Sequence, residues 1–219
     1  MTDATEASGT SERIEVPRLI PAEPAAIFAV LCDPQGHVAI DSSGMLQSAE
    51  GEPVRAVGDQ FVVHMDREAL NDYPLGLYDV TVSIVTYEQD REVAWTILGA
   101  LNIGHVYGYT LEPAEGGTLV TSYYDWSTIE DDWKRIFPII SEGALRATLG
   151  ILARTVAART ARLRSVSWTF LVGSQPETST ERSTDPMAAT TSSRARAEWP
   201  ERNTSTWGSA AAMPATRGS

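Results

Sequence analysis

Ser141 to Arg164 reads SEGALRATLGILARTVAARTARLR. Leu145, Leu149, Leu152 and Val156 recur at steps of four, three and four, Ala144 and Leu163 fall in the same stripe, and Glu142, Arg146, Arg154 and Arg162 fill the gaps. Side chains at those steps lie along one side of a 3.6-residue helix, so the stretch predicts one amphipathic helix with a greasy face and a charged one. Arg159 interrupts the stripe near its end. Such a helix would be roughly 36 Å long, and an apolar stripe of that length needs an extended partner surface.

The residues before it supply one. Arg13 to Ile20 alternates, with Ile14, Val16 and Ile20 on one side, and Pro17 places this strand near a sheet edge. Pro24 suits the first turn of a short helix, Ala25 to Leu31. Asp33-Pro34 ends it, and Gln35 to Ile40 forms a second. Six strands then follow, near Met45–Ala49, Gln60–Met65, Leu77–Tyr87, Glu92–Leu98, Gly104–Leu111 and Thr118–Trp126, with turn signals at 50–53, 89–91 and 115–117. Consecutive strands joined by short turns make an antiparallel meander. Alternation puts Tyr78, Val80, Val82 and Ile84 on one face, and likewise Val93, Trp95 and Ile97, then Tyr107, Tyr109 and Leu111, then Val120, Tyr124 and Trp126. These faces carry more Tyr and Trp than packing on aliphatic side chains requires. Pro138 breaks the apolar run Trp133–Ile140, which is expected to form a turn or short helix, a lip before the long helix.

Composition sets bounds on function. Of the 55 residues from Ser165 onward, 34 are Ser, Thr, Ala, Gly or Pro, which reads as a disordered low-complexity tail, 165–219. Residues 1–11 are a polar lead-in, and 12–164 form the folded domain. Residues 1–164 together hold 24 of the 29 acids and 12 of the 17 bases, so they carry the whole net charge of −12. An acidic domain without a basic stripe argues against nucleic acid and anionic membrane surfaces. Cys32 is the single cysteine, which excludes an internal disulfide and a multi-cysteine zinc site. No apolar run is long enough to span a bilayer, and MTDATEASGTSER lacks the basic and apolar regions of a signal peptide, so a cytoplasmic location is expected.

Strand, two short helices, a meander and one long C-terminal helix is the helix-grip order. The residues Ile20-Pro21-Ala22 through Ile27-Phe28-Ala29-Val30-Leu31, Asp33-Pro34 with His37, Ile40-Asp41, Ser43-Gly44, Val57-Gly58-Asp59-Gln60-Phe61, Arg91-Glu92-Val93-Ala94-Trp95, Tyr109-Thr110-Leu111-Glu112-Pro113, Gly116-Gly117-Thr118 and Asp125-Trp126-Ser127 resemble the polyketide cyclase/dehydrase branch of the START and Bet v 1-like (SRPBCC) superfamily, especially its actinobacterial members. The resemblance spans roughly residues 12–164. It implies an α+β fold, a curved antiparallel sheet of about seven strands wrapped around the long helix, with an apolar cavity between them for a lipid or polyketide-like molecule.

Three histidines lie on separate segments, without a metal spacing, and no cofactor is expected. By parity His105 joins the face of Tyr107 and Tyr109, where a group titrating near neutrality can act as acid or base; the plainer reading is a hydrogen-bonded histidine at a strand start. His64 opposes Phe61, Val63 and Met65 and is expected to face solvent. His37 and Asp41 lie near the expected cavity mouth and read as capping and local hydrogen bonding. Nothing in the chain has a nucleophile elbow, a phosphate loop or a dinucleotide fingerprint.

The leading expectation is a binder of a hydrophobic small molecule lined by Phe61, Trp95, Tyr107, Tyr109, Tyr124, Trp126, Leu145, Leu149 and Leu152, and driven by apolar burial worth about 25 cal/mol per Å² before ordering costs. The alternatives are a cyclase or dehydratase using His105 with Tyr107 or Tyr109, and an interaction module whose cavity is filled. The ligand and the oligomeric state are not legible in the sequence.

Overall fold

The computed structural model describes residues 11–68 and 75–172, with side chains as far as Arg162. Seven strands form one antiparallel sheet: β1 (Arg13–Ile20), β2 (Leu46–Glu50), β3 (Gln60–Asp66), β4 (Leu77–Glu88), β5 (Glu92–Leu98), β6 (Val106–Ala114) and β7 (Gly117–Asp125). Their spatial order is β1-β7-β6-β5-β4-β3-β2, so β2 to β7 are a meander and β1 closes against its last strand. Two short helices, α1 (Pro24–Leu31) and α2 (Pro34–Ile40), carry the chain from one edge of the sheet to the other. The short α3 (Asp131–Lys134) and the long α4 (Glu142–Val172) complete the helix-grip fold.

Local chemistry explains the boundaries. Pro17 sits on β1, an edge strand paired only with β7, where its missing N–H costs no ladder bond. Asp33 caps α2 by accepting from the Gln35 amide at 3.0 Å. Glu115 and Gly116 link β6 to β7, and Gly116 adopts φ +85°, which a residue with a Cβ resists. The β6 strand begins at Val106 rather than at Gly104, whose φ of +91° lies outside strand geometry.

Register then builds the inner face. Ile84 pairs with Trp95, Trp95 with Tyr107, Tyr107 with Tyr124 and Tyr124 with Ile14, one continuous row across five strands. A bulge at Val85 turns that residue outward and returns Tyr87 to the inner face beside Val93. Against this face α4 buries Leu145, Leu149, Leu152 and Val156.

The helix runs to Val172, past the end expected at Arg164; residues 165–172 therefore continue α4 rather than begin the tail. The low-complexity sequence did not stop the helix, because no proline or glycine falls between Arg164 and Gly173. Residues 1–10, 69–74 and 173–219, and the side chain of Leu163, lie outside the described residues. Arg159 interrupts the stripe to form an ion pair with Asp33 at 2.9 Å, and Ser42 Oγ donates to the Ala144 carbonyl while accepting from Thr148 Oγ1. The described residues contain no helix long and apolar enough to cross a membrane.

Candidate functional site

The inner face and α4 bring together all nine residues expected to line a cavity. Phe61, Trp95, Tyr109, Tyr124, Trp126, Leu145, Leu149 and Leu152 are buried in one core, and Tyr107 packs on it partly buried. What they surround differs from the expectation. Among the described residues two shallow depressions lie on the surface, one bounded by Glu52, Pro53, Arg55, Asp59 and Gln60 and one by Glu88, Arg91, Glu92 and 110–113. Between the sheet and α4 the protein's own rings pack against one another.

Two residues outside the expected lining do much of the filling. Phe137, on the connection between α3 and α4, lies against His105, Tyr124 and Trp126 with ring centroids 5.4, 6.1 and 6.4 Å away. His37 enters from α2 and meets Phe61 and Trp95 edge-on at 4.9 and 4.6 Å. Its Nε2 lies 2.8 Å from the Leu31 carbonyl and so carries the proton donated there, while burial pulls its pKa down to about 4. His37 is therefore a neutral core ring whose donation to the last carbonyl of α1 is the local hydrogen bonding expected of it, made from inside the core rather than at a cavity mouth. Asp41 instead accepts from the Ser43 amide and hydroxyl and the Leu46 amide.

His105 stands at the foot of β6, where its carbonyl accepts from Thr96 Oγ1 at 2.9 Å. Its ring is buried and meets Tyr107 and Tyr124 edge-on at 5.4 and 5.7 Å. Burial lowers its pKa, so the imidazole is held neutral. Tyr107 stacks on Trp95 and lies 4.7 Å from Tyr124; burial pushes both phenols well above their usual range. Tyr109 lies one step along β6, its ring against Trp95 and its pKa raised by burial to about 12. The structure thus groups His105 with Tyr107 and Tyr124, and sets Tyr109 beside Trp95.

Two polar atoms in this aromatic box stand out. His105 Nδ1 and the Tyr124 hydroxyl are buried and meet no hydrogen-bond partner of acceptable geometry among the described residues. Chemically the box can present a protonated phenol and a neutral imidazole to an uncharged group, with ring faces around it. It offers no metal site, since no cluster of three His, Cys, Asp or Glu side chains suited to a metal occurs among the described residues. Cys32 is buried and its thiol is raised to about 12 by burial, which leaves it unreactive. His64 was expected to face solvent, but its side chain is only 17% exposed, covered where Nδ1 lies 2.7 Å from Asp79 and Nε2 3.4 Å from Glu50.

Sequence reasoning missed Phe137, and for His37 it read the hydrogen bonding but not the place in the core. Pro138 drew attention to the first segment, but only as a lip, and nothing in the spacing of His37 distinguishes a core ring from a turn residue.

No protein-family model matches the chain, and no curated protein matches it. Among solved structures it is similar to a crystal structure of a Rhodobacter sphaeroides protein at 19% identity and TM-score 0.52, over 69% of this chain and 96% of that one. It is also similar to an AHSA1-like protein from Aeromonas hydrophila at 17% identity and TM-score 0.47, over 68% and 94% of the two chains. A third, the KanY protein, shows 21% identity and TM-score 0.48 over 68% and 99%. At these identities the likeness is one of fold.

Proposed function

We propose that the protein binds a mostly apolar small molecule, lipid or polyketide-like, between the inner face of the sheet and α4. One observation carries the reading: two buried polar atoms, His105 Nδ1 and the Tyr124 hydroxyl, which has only the Tyr107 phenol nearby, find no hydrogen-bond partner of acceptable geometry among the described residues, on a face otherwise made of rings and aliphatic side chains. Buried polar groups in folded proteins are nearly always paired, and each orphan costs about 1–3 kcal/mol. A mostly apolar site with a few convergent polar groups is what a small-molecule pocket looks like. The rings that fill the interior stand where the ligand would sit, so binding requires them to move.

Native mass spectrometry of the protein purified from its own host, compared with the denatured sample, tests the reading. A co-purifying apolar mass supports it. No bound mass, with no uptake of a fluorescent fatty acid, overturns it in favour of an interaction module, which the filled interior favours. Acid–base chemistry on a bound ketone is the remaining reading, favoured by a neutral imidazole in ring contact with two protonated phenols. It requires that His105→Gln abolish turnover with the fold intact.

A further inference from the structure

Phe137 occupies the box in an unusual way. Its ring is only partly buried, whereas His105, Tyr124 and Trp126, which it touches, are 7%, 0% and 5% exposed. It belongs to no strand or helix, and Ile136 and Ile139 beside it are about half exposed, at 52% and 51%. The ring lies nearly parallel to Tyr124, at 11°, and tilted against His105 and Trp126. The space it fills is therefore shaped for a flat ring. A phenyl group has no polar atom, yet the two orphaned polar atoms belong to two of the three rings it touches.

We infer that Phe137 is a stand-in for the ligand, and that the site takes a neutral planar ring bearing one oxygen, a phenol or an aryl ketone. The inference rests on the small-molecule reading above and specifies its ligand. Such a ring takes the place of the Phe137 side chain on Tyr124, and its oxygen pairs with the Tyr124 hydroxyl, His105 Nδ1 or both, which Phe137 cannot do. Burial keeps that hydroxyl protonated and that imidazole neutral, so an uncharged oxygen suits the box. A carboxylate is the competing class, because Arg67 lies near enough to Tyr107 to oppose the effect of burial on that phenol.

The test is displacement of Nile red by naphthalene, 2-naphthol and 2-naphthoate from the wild type and from Phe137→Ala, with Phe137→Leu as the milder variant should the first not fold. The expected result is that removing the Phe137 ring tightens 2-naphthol by at least about tenfold. In that variant 2-naphthol should also bind about tenfold tighter than naphthalene, since a restored hydrogen bond to a buried group is worth about that much. Adding Tyr124→Phe and His105→Leu should erase the preference for the naphthol and leave naphthalene unchanged. Equal binding of naphthol and naphthalene, a preference for the naphthoate, or unchanged naphthol affinity without the Phe137 ring overturns the inference while leaving the broader reading standing. Failure of wild type and variant alike to take up Nile red overturns the broader reading itself.

Discussion

The ring of Phe137 stacks on that of Tyr124 with centroids 6.1 Å apart and planes 11° from parallel, so a partly exposed side chain from a connection covers a fully buried one from the sheet. The Tyr124 hydroxyl beneath it has no hydrogen-bond partner of acceptable geometry among the described residues. Tyr124→Phe removes that hydroxyl and keeps every ring contact. The folded chain should gain about 1 kcal/mol, the lower part of the cost of an orphaned buried group. Urea denaturation measures it; a loss of stability would show that the hydroxyl is satisfied in the native protein. A gain is the pattern of a site that gives up stability for function.

His37 makes stability depend on pH in a defined direction. Burial lowers its pKa to about 4 against the pull of the Leu31 carbonyl and Asp33. The unfolded chain therefore takes up a proton near pH 6.5 that the folded chain refuses until about pH 4. The corresponding stability is fully present above about pH 6.5 and is lost as the pH falls toward 4, in total roughly 3 kcal/mol. His105 acts in the same direction, since its pKa is also lowered by burial. Denaturation midpoints across this window should fall more steeply for the wild type than for His37→Gln, which keeps a donor for the Leu31 carbonyl. Parallel curves would refute the assignment.

Asp33 serves two partners, and its variants should separate them. One oxygen accepts from the Gln35 amide as the cap of α2, and the other pairs with Arg159 on α4. The pair is half exposed, with side chains 28% and 41% accessible, so a cycle of Asp33→Asn with Arg159→Ala should give a coupling below about 1 kcal/mol that shrinks in salt. Asp33→Ala should cost about 1 kcal/mol more than Asp33→Asn, because it also removes the cap. Equal costs for the two substitutions would show that the cap contributes nothing.

Gly108 has no side chain because Tyr123 lies over it. A Cβ at that position would overlap the Tyr123 ring, whose hydroxyl donates to Glu92 at 2.8 Å and over which the Arg13 guanidinium sits 4.0 Å from the centroid. Gly108→Ala should destabilise by about 1–3 kcal/mol, as overpacking does. Combining it with Tyr123→Ser should cost less than the sum of the two single changes. Strict additivity in thermal unfolding would place the cost in the backbone rather than in the ring.

Much of the scaffold was legible because its signals are local. The edge position of β1 followed from Pro17, and the strand faces followed from alternation in 78–84, 93–97 and 107–111. His105 was assigned to its face by parity, and the structure places it there. The end of α4 was misread for a physical reason: a Ser- and Thr-rich composition weakens a helix but does not terminate one, and no Pro or Gly intervenes between Arg164 and Gly173. Phe137 was illegible as part of the site, because a single apolar residue beside a proline has no periodicity to assign it a side.

The sequence by itself determined which residues turn inward on each element, since pleat and helical turn impose periods of 2 and 3.6 on any chain that adopts them. Only the tertiary structure decided what those residues enclose. The strand register aligned Trp95, Tyr107 and Tyr124 in one row, α2 set His37 against Trp95, and the connection before α4 laid Phe137 over Tyr124. Those contacts join segments far apart in the chain, and shape and volume select among them rather than any repeat. A sequence pattern can therefore announce a cup, while packing alone decides whether it stands open or is filled by the protein's own rings.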